Sequence, residues 1–185
     1  MEPVKNCIDE FMEKFIKDRP IYEDHCHRAA QMVDGLLKQK GIMGIVTSRV
    51  KDPERLREKL IKRDLEGRDY QSSEDIARDI TDLMGIRVAL YFPGDAQKIA
   101  GILTPQFEIV KSKEFPARVD EFDAYHDQGF TAYKRRVYPG YDERRFDGYC
   151  AIHHHIRFAH EEGETPEFNP VIEIQVASLL MHAWS

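Results

Sequence analysis

The chain has 185 residues, with 27 Lys and Arg against 33 Asp and Glu, a formal charge of -6, and 42% hydrophobic and 32% charged residues. That is enough for one domain with a sizeable core, and the acidic balance argues against a general electrostatic grip on nucleic acid, leaving local basic clusters to meet phosphates. Cys7, Cys26 and Cys150 form no spaced pair that would signal a disulfide framework or a four-cysteine zinc site, no apolar stretch approaches the ~20 residues of a membrane span, and residues 1–11 lack a signal peptide's apolar run, so a cytoplasmic protein is expected.

In chain order, residues 4–18 space Val4, Ile8, Phe11, Met12, Phe15 and Ile16 at helical intervals. Pro20 is expected to interrupt, with a second helix from Ile21 to Lys38 ending near Gly41. Residues 1–41 then form an N-terminal helical segment ahead of a core over 42–185. Residues 42–51 read as extended. Asp52-Pro53 is an N-cap followed by proline at the first helical position, and it opens the charged helix PERLREKLIKR. Ser72-Ser73-Glu74-Asp75 is a capping box for another helix, which Gly85 is expected to close. IRVALYF (86–92) alternates, with Ile86, Val88, Leu90 and Phe92 on one face. Residues 95–103 read as helix and FEIVKSKEF (107–115) as strand. Pro116 to Asp147 reads as a long polar loop. GYCAIHHHIRF (148–158) and VIEIQVAS (171–178) are two more strands, and LLMHAWS begins a last helix. Helices first and then a sheet argue for an α+β domain.

Strand periodicity divides the three histidines. Cys150, Ile152, His154, Ile156 and Phe158 share one face, and Tyr149, Ala151, His153, His155 and Arg157 the other. His154 therefore faces the core. Adjacent histidines on opposite faces make a poor chelate, which disfavours zinc. In VIEIQV, Ile172, Ile174 and Val176 form the core face, opposite Glu173 and Gln175. Glu173 reads either as an exposed edge residue or as half of a site. Asp82, near a helix end in DLMGIRV, is either a surface acid or the second carboxylate of a Mg²⁺ site, since that ion accepts one or two carboxylates plus phosphates. Arg49 and Lys51, at spacing two, are either a solvated charge run or a polyphosphate grip made of a fork and a point charge. Lys134, Arg135, Arg136, Arg144 and Arg145 form a second basic cluster, interleaved with Phe130, Tyr133, Tyr138, Tyr141 and Phe146. That mixture suits a nucleotide or a loop with aromatic anchors.

Taken together and in order, SRVKDPERLREKL (48–60), DITDLMGIRVALYF (79–92), GYCAIHHHIRF (148–158) and VIEIQVASLLMHAWS (171–185) resemble the RelA/SpoT alarmone-synthetase family, in its single-domain small form. No single piece is specific; the joint order and separation carry the resemblance, over roughly residues 42–185. It implies a nucleotidyltransferase-like fold, a mixed β-sheet flanked by helices. It implies a pyrophosphokinase that moves the β,γ-pyrophosphate of ATP to the 3′-hydroxyl of GDP or GTP, giving (p)ppGpp, with Mg²⁺ as cofactor. Arg49, Lys51, Lys59 and Arg87 would bind ATP, Asp82 and Glu173 the metal, and Gln175 would stand beside Glu173 in catalysis. Tyr149 would stack on the acceptor base, with His153, Arg144 and Arg145 near the acceptor. The partners implied are ATP and a guanine nucleotide, with no membrane, and with a homo-oligomer as in other small members.

The chain departs from the family pattern in places. Asp147 stands where asparagine usually precedes the Gly-Tyr, adding a negative charge beside the acceptor. Ala177-Ser178 replace Arg-Thr, removing a phosphate donor or structural pair. The family core continues past the tryptophan, so the resemblance implies a core truncated at Ser185. The alternatives are the same donor chemistry on an adenine nucleotide or a tRNA 3′ end, or an inactive nucleotide-binding relative.

Overall fold

The computed structural model describes residues 7–115, 122–127, 130–135, 150–159 and 169–183, with 122–127, 130–135 and 182–183 as backbone. The N-terminal helix α1 runs unbroken from Cys7 to Gln39, straight through Pro20, where an interruption was expected. Proline removes one helical hydrogen bond and crowds the carbonyl four residues back. Pro20 and Ile16, which carries that carbonyl, are both exposed, so water can take up the freed acceptor. Burial on both sides then outweighs the local cost. The first half of α1 buries Ile8, Phe11, Met12 and Phe15, and the second half Cys26, Ala29, Ala30, Val33 and Leu37.

Those two halves belong to two separate cores. The smaller joins Ile8, Phe11, Met12 and Phe15 to Leu56 and Leu60 of α2 (Pro53–Arg63) and to Ile76 and Ile80 at α3 (Ser73–Asp79). The larger packs the second half of α1 on the sheet. Tyr22 and Val50 pack against both. Asp52 caps α2 as expected, its carboxylate accepting from the Arg55 amide at 3.1 Å. Ser72 caps α3, accepting from the Asp75 amide at 3.2 Å. α3 ends at Ile80 in extended backbone. Gly85, expected to close that helix, lies instead inside strand β2 (Met84–Leu90).

The five-stranded sheet has the order β1-β2-β7-β6-β3, with β1 over Gly44–Val50, β3 over Phe107–Phe115, β6 over Ala151–Phe158 and β7 over Ile172–Ser178. Only β2 and β7 run parallel, so the sheet is mixed. Ile86, Val88, Leu90, Ile174 and Val176 are fully buried toward α1. Phe92, expected on that face, is 59% exposed, because β2 ends at Leu90. The helix expected over 95–103 opens as a 3-10 turn, Pro93–Lys98, and becomes α4 at Ile99–Leu103. The supposed polar loop holds a hairpin, β4 (Phe122–Asp127) paired with β5 (Phe130–Arg135). A short α5, Leu179–Ala183, follows β7. Among the described residues, no helix is long and apolar enough to cross a membrane.

Candidate functional site

Register carries the site across the sheet. One row reads Arg49, Gly85, Glu173, His155, Lys111 from β1 to β3, and the next Thr47, Arg87, Gln175, His153, Lys113. Cross-strand partners share a face, so ten residues from five strands line the surface opposite α1. The intervening row, Ser48, Ile86, Ile174, His154 and Ser112, faces the other way; its three central residues are buried in the core, and the serines at its two ends are exposed. His154 is 3% exposed there and meets the Ser112 hydroxyl through Nδ1 at 2.8 Å. The period-two reading of the histidines therefore holds.

Glu173 sits at the centre, on β7. Its Oε1 accepts from His153 Nδ1 at 3.0 Å, and its Oε2 accepts from Gln175 Nε2 at 2.8 Å. Burial pushes its carboxyl up, but these hydrogen bonds, with the charges of His153 and His155, hold it below its ordinary value. The partly buried Glu173 is thus a paired carboxylate and not a solvent-facing edge residue. Phe115 packs on the His153 ring, with centroids 4.6 Å apart. Burial lowers the His155 pKa, despite the opposing pull of Glu173.

Asp82 lies between α3 and β2, two residues ahead of that strand, in no helix. Lys51 and Lys59 both donate to its Oδ2, Lys59 at 2.8 Å, and Lys59 also reaches Oδ1 at 3.0 Å. Burial raises the Asp82 carboxyl and the two ammonium groups more than reverse that, leaving it below its usual range. Burial lowers Lys51, more than Asp82 restores.

Arg49 lies across Gly85: a Cβ on that glycine would stand 3.7 Å from both its Cγ and its Nε. From the core side, the Cys26 thiol meets the Gly85 and Arg49 carbonyls at 3.5 and 3.7 Å. A cleft of about 600 Å³ between α1 and the edge strand β1, lined by Arg19, Glu23, His27 and Ser48 among others, meets the site only at Arg49.

Three buried polar atoms on the sheet's polar face have no hydrogen-bond partner among the described residues: Arg87 Nε, His153 Nε2 and His155 Nδ1. Orphaned buried donors and acceptors are costly, and a bound polar ligand is one way to satisfy them. Lys51, Lys59 and Asp82 come together, as do His153, Glu173 and Gln175, while Arg49 and Arg87 line the same face. The two carboxylates belong to separate hydrogen-bond networks. Tyr149, Arg144 and Arg145 lie outside the described residues. His155, Lys111 and Lys113 had no assigned role in the sequence; the signal for them was strand parity, which needs the β3–β6 register to become useful.

The oxygen-only pair, Asp82 and Glu173, fits Mg²⁺ in chemistry. Among the described residues, no three His, Cys, Asp or Glu side chains converge into a metal cage.

The model for the region found in RelA / SpoT proteins matches residues 48–185. No curated protein matches the sequence. Among solved structures, the chain is similar to a GTP pyrophosphokinase family protein from Streptococcus pneumoniae, at 20% identity and a TM-score of 0.60, covering 93% of this chain and 71% of that one. It is similar to small alarmone synthetase 1 from Bacillus subtilis, at 17% identity and a TM-score of 0.58, covering 93% and 75%. The same enzyme bound to its product pppGpp matches at 16% identity and a TM-score of 0.59, covering 93% and 77%. At these identities the likeness is one of fold, the nucleotidyltransferase-like mixed sheet flanked by helices. The family region takes in both site-bearing rows of that sheet except Thr47, one residue ahead of it, and the chain belongs to the RelA/SpoT family.

Proposed function

We propose that this chain is an alarmone synthetase that transfers the β,γ-pyrophosphate of ATP to the 3′-hydroxyl of GDP or GTP. The observation that carries the reading is the order of groups on one sheet face. Arg49 and Arg87 lie on β1 and β2, with Lys51 and Lys59 beside them; Glu173 is central on β7; His153 is beyond it on β6. A donor triphosphate laid over β1 and β2 meets the cations, the arginines as forks and the lysines as point charges. The acceptor approaches from the β6 side, with its ribose near Glu173 and His153. Tyr149 supplies a ring for the acceptor base, and Arg144 and Arg145 its phosphate contacts.

In the transfer, the acceptor 3′-oxygen bonds to the β-phosphorus as the bond from that phosphorus to the α,β-bridging oxygen breaks. AMP leaves with that oxygen, and the hydroxyl proton passes to Glu173 or to water. Such in-line transfer needs positioning and charge neutralisation more than covalent help. Glu173 is oriented for it by His153 on one oxygen and Gln175 on the other. Mg²⁺, held by Asp82 and Glu173 when bound, supplies charge neutralisation between the phosphates. Incubation with β-labelled ATP and a panel of GDP, GTP, ADP and tRNA, resolved by chromatography, tests the reading. Label should move to the guanine nucleotides with release of AMP, and Asp82→Asn should abolish it in a folded protein. Transfer to ADP or tRNA alone, or to nothing, overturns it.

A further inference from the structure

Asp82 is not free to receive a cation. Both lysines donate to its carboxylate, and all three side chains are sheltered, at 19% exposure for Lys51 and 29% for each of the others. The groups come from three elements. Lys51 follows β1, and its amide donates to the Leu83 carbonyl at 2.8 Å. Lys59 projects from α2, and Asp82 precedes β2. The cluster holds two ammonium groups against one carboxylate, so its net charge is positive. A divalent cation arriving alone meets repulsion from both lysines, and it must displace them to reach an oxygen. A triphosphate changes the balance. Its oxygens offer the lysines a more highly charged partner than one carboxylate, and each lysine that turns to phosphate uncovers Asp82.

We propose that the Lys51–Asp82–Lys59 cluster makes metal entry conditional on the donor nucleotide: the pair of lysines closes Asp82 to free Mg²⁺ and opens it only when a polyphosphate draws them away. The proposal rests on Asp82 as a metal ligand in the synthetase reading, and the two fail in different ways. Mn²⁺, which takes the same oxygen ligands, serves as a paramagnetic probe of binding, independent of turnover. It is titrated into the intact chain with and without α,β-methylene-ATP. The wild type should take up little Mn²⁺ at Asp82 without nucleotide. Lys59→Met should bind Mn²⁺ alone on the order of tenfold to a hundredfold more tightly, the range expected from removing a unit charge about 4 Å from a divalent ion that is screened as in bulk water. Lys59→Gln provides the same measurement should the methionine variant fail to fold. Adding Asp82→Asn should erase the gain. Equal Mn²⁺ affinity in the wild type and the folded Lys59 variant overturns the closed cluster while leaving Asp82 as a ligand. An unchanged Mn²⁺ signal in the Asp82→Asn ternary complex removes Asp82 from the metal site and overturns both.

Discussion

His154 makes the fold sensitive to mild acid in a way that can be calculated. Its ring is 3% exposed. Burial lowers its pKa, with the neighbouring His153 acting in the same direction. A histidine ordinarily titrates near 6.5. Below that pH the unfolded chain takes up a proton that the folded chain refuses, so the unfolded state binds more protons and stability falls as pH falls. Between pH 7.5 and 5.5 one imidazole kept wholly neutral in the fold removes at most about 1.4 kcal/mol. The carboxyls held low, Asp82 and Glu173, do not titrate in that window. His154→Leu loses the Ser112 hydrogen bond, worth about 1 kcal/mol, but also removes the buried Nε2, which has no partner among the described residues and costs about 1–3 kcal/mol. The variant should therefore be as stable as wild type at pH 7.5, or slightly more so. It should also lose up to about 1.4 kcal/mol less on going to pH 5.5. Urea unfolding at the two pH values measures both numbers. Identical acid losses in wild type and variant would show that His154 is not held neutral, and the reasoning would fail.

Gly85→Val places methyl groups where the Arg49 side chain now lies; it should raise the KM for ATP by about tenfold, roughly the loss of one good phosphate contact, with little change in melting temperature. Leu60→Ala in the smaller core should cost about 2–5 kcal/mol by calorimetry or urea titration, since Leu60 is fully buried. Tyr149→Ala should weaken acceptor binding by about tenfold or more, from a stacking contribution of roughly 1–3 kcal/mol. Calorimetric titration should find ATP binding unchanged in the Tyr149 variant.

The polar face was legible wherever a strand could be read by itself. Parity assigned His153 and His154 to opposite sides, and likewise Glu173 and Ile174, because successive side chains alternate whatever the strand's neighbours are. The Asp52-Pro53 start of α2 was equally local. What escaped depended on distant parts of the chain. Nothing near Pro20 announces that both flanking segments bury apolar faces in different cores, and that double anchorage carries the helix through. Gly85 resembled a helix terminator because α3 precedes it; its pairing with Arg49 and Glu173 on neighbouring strands decides otherwise. Asp82 was singled out, but its capture by Lys51 and Lys59 brings together three segments separated in sequence. The β4–β5 hairpin lies in a stretch whose charges masked its alternation.

The division into two cores bridged by α1 has a consequence for the working lifetime of the site. Proteins open in sub-global units whose free energies differ, and the smaller core, with eight buried residues among those described, should open before the sheet. Each such excursion carries α2 away, and Lys59 with it, while Glu173, Gln175 and His153 stay in place on the strands. Amide exchange should then be faster in α2 and α3 than in β2, β6 and β7. The fraction of molecules competent to hold a triphosphate would follow the stability of the smaller unit, well before the protein as a whole begins to melt.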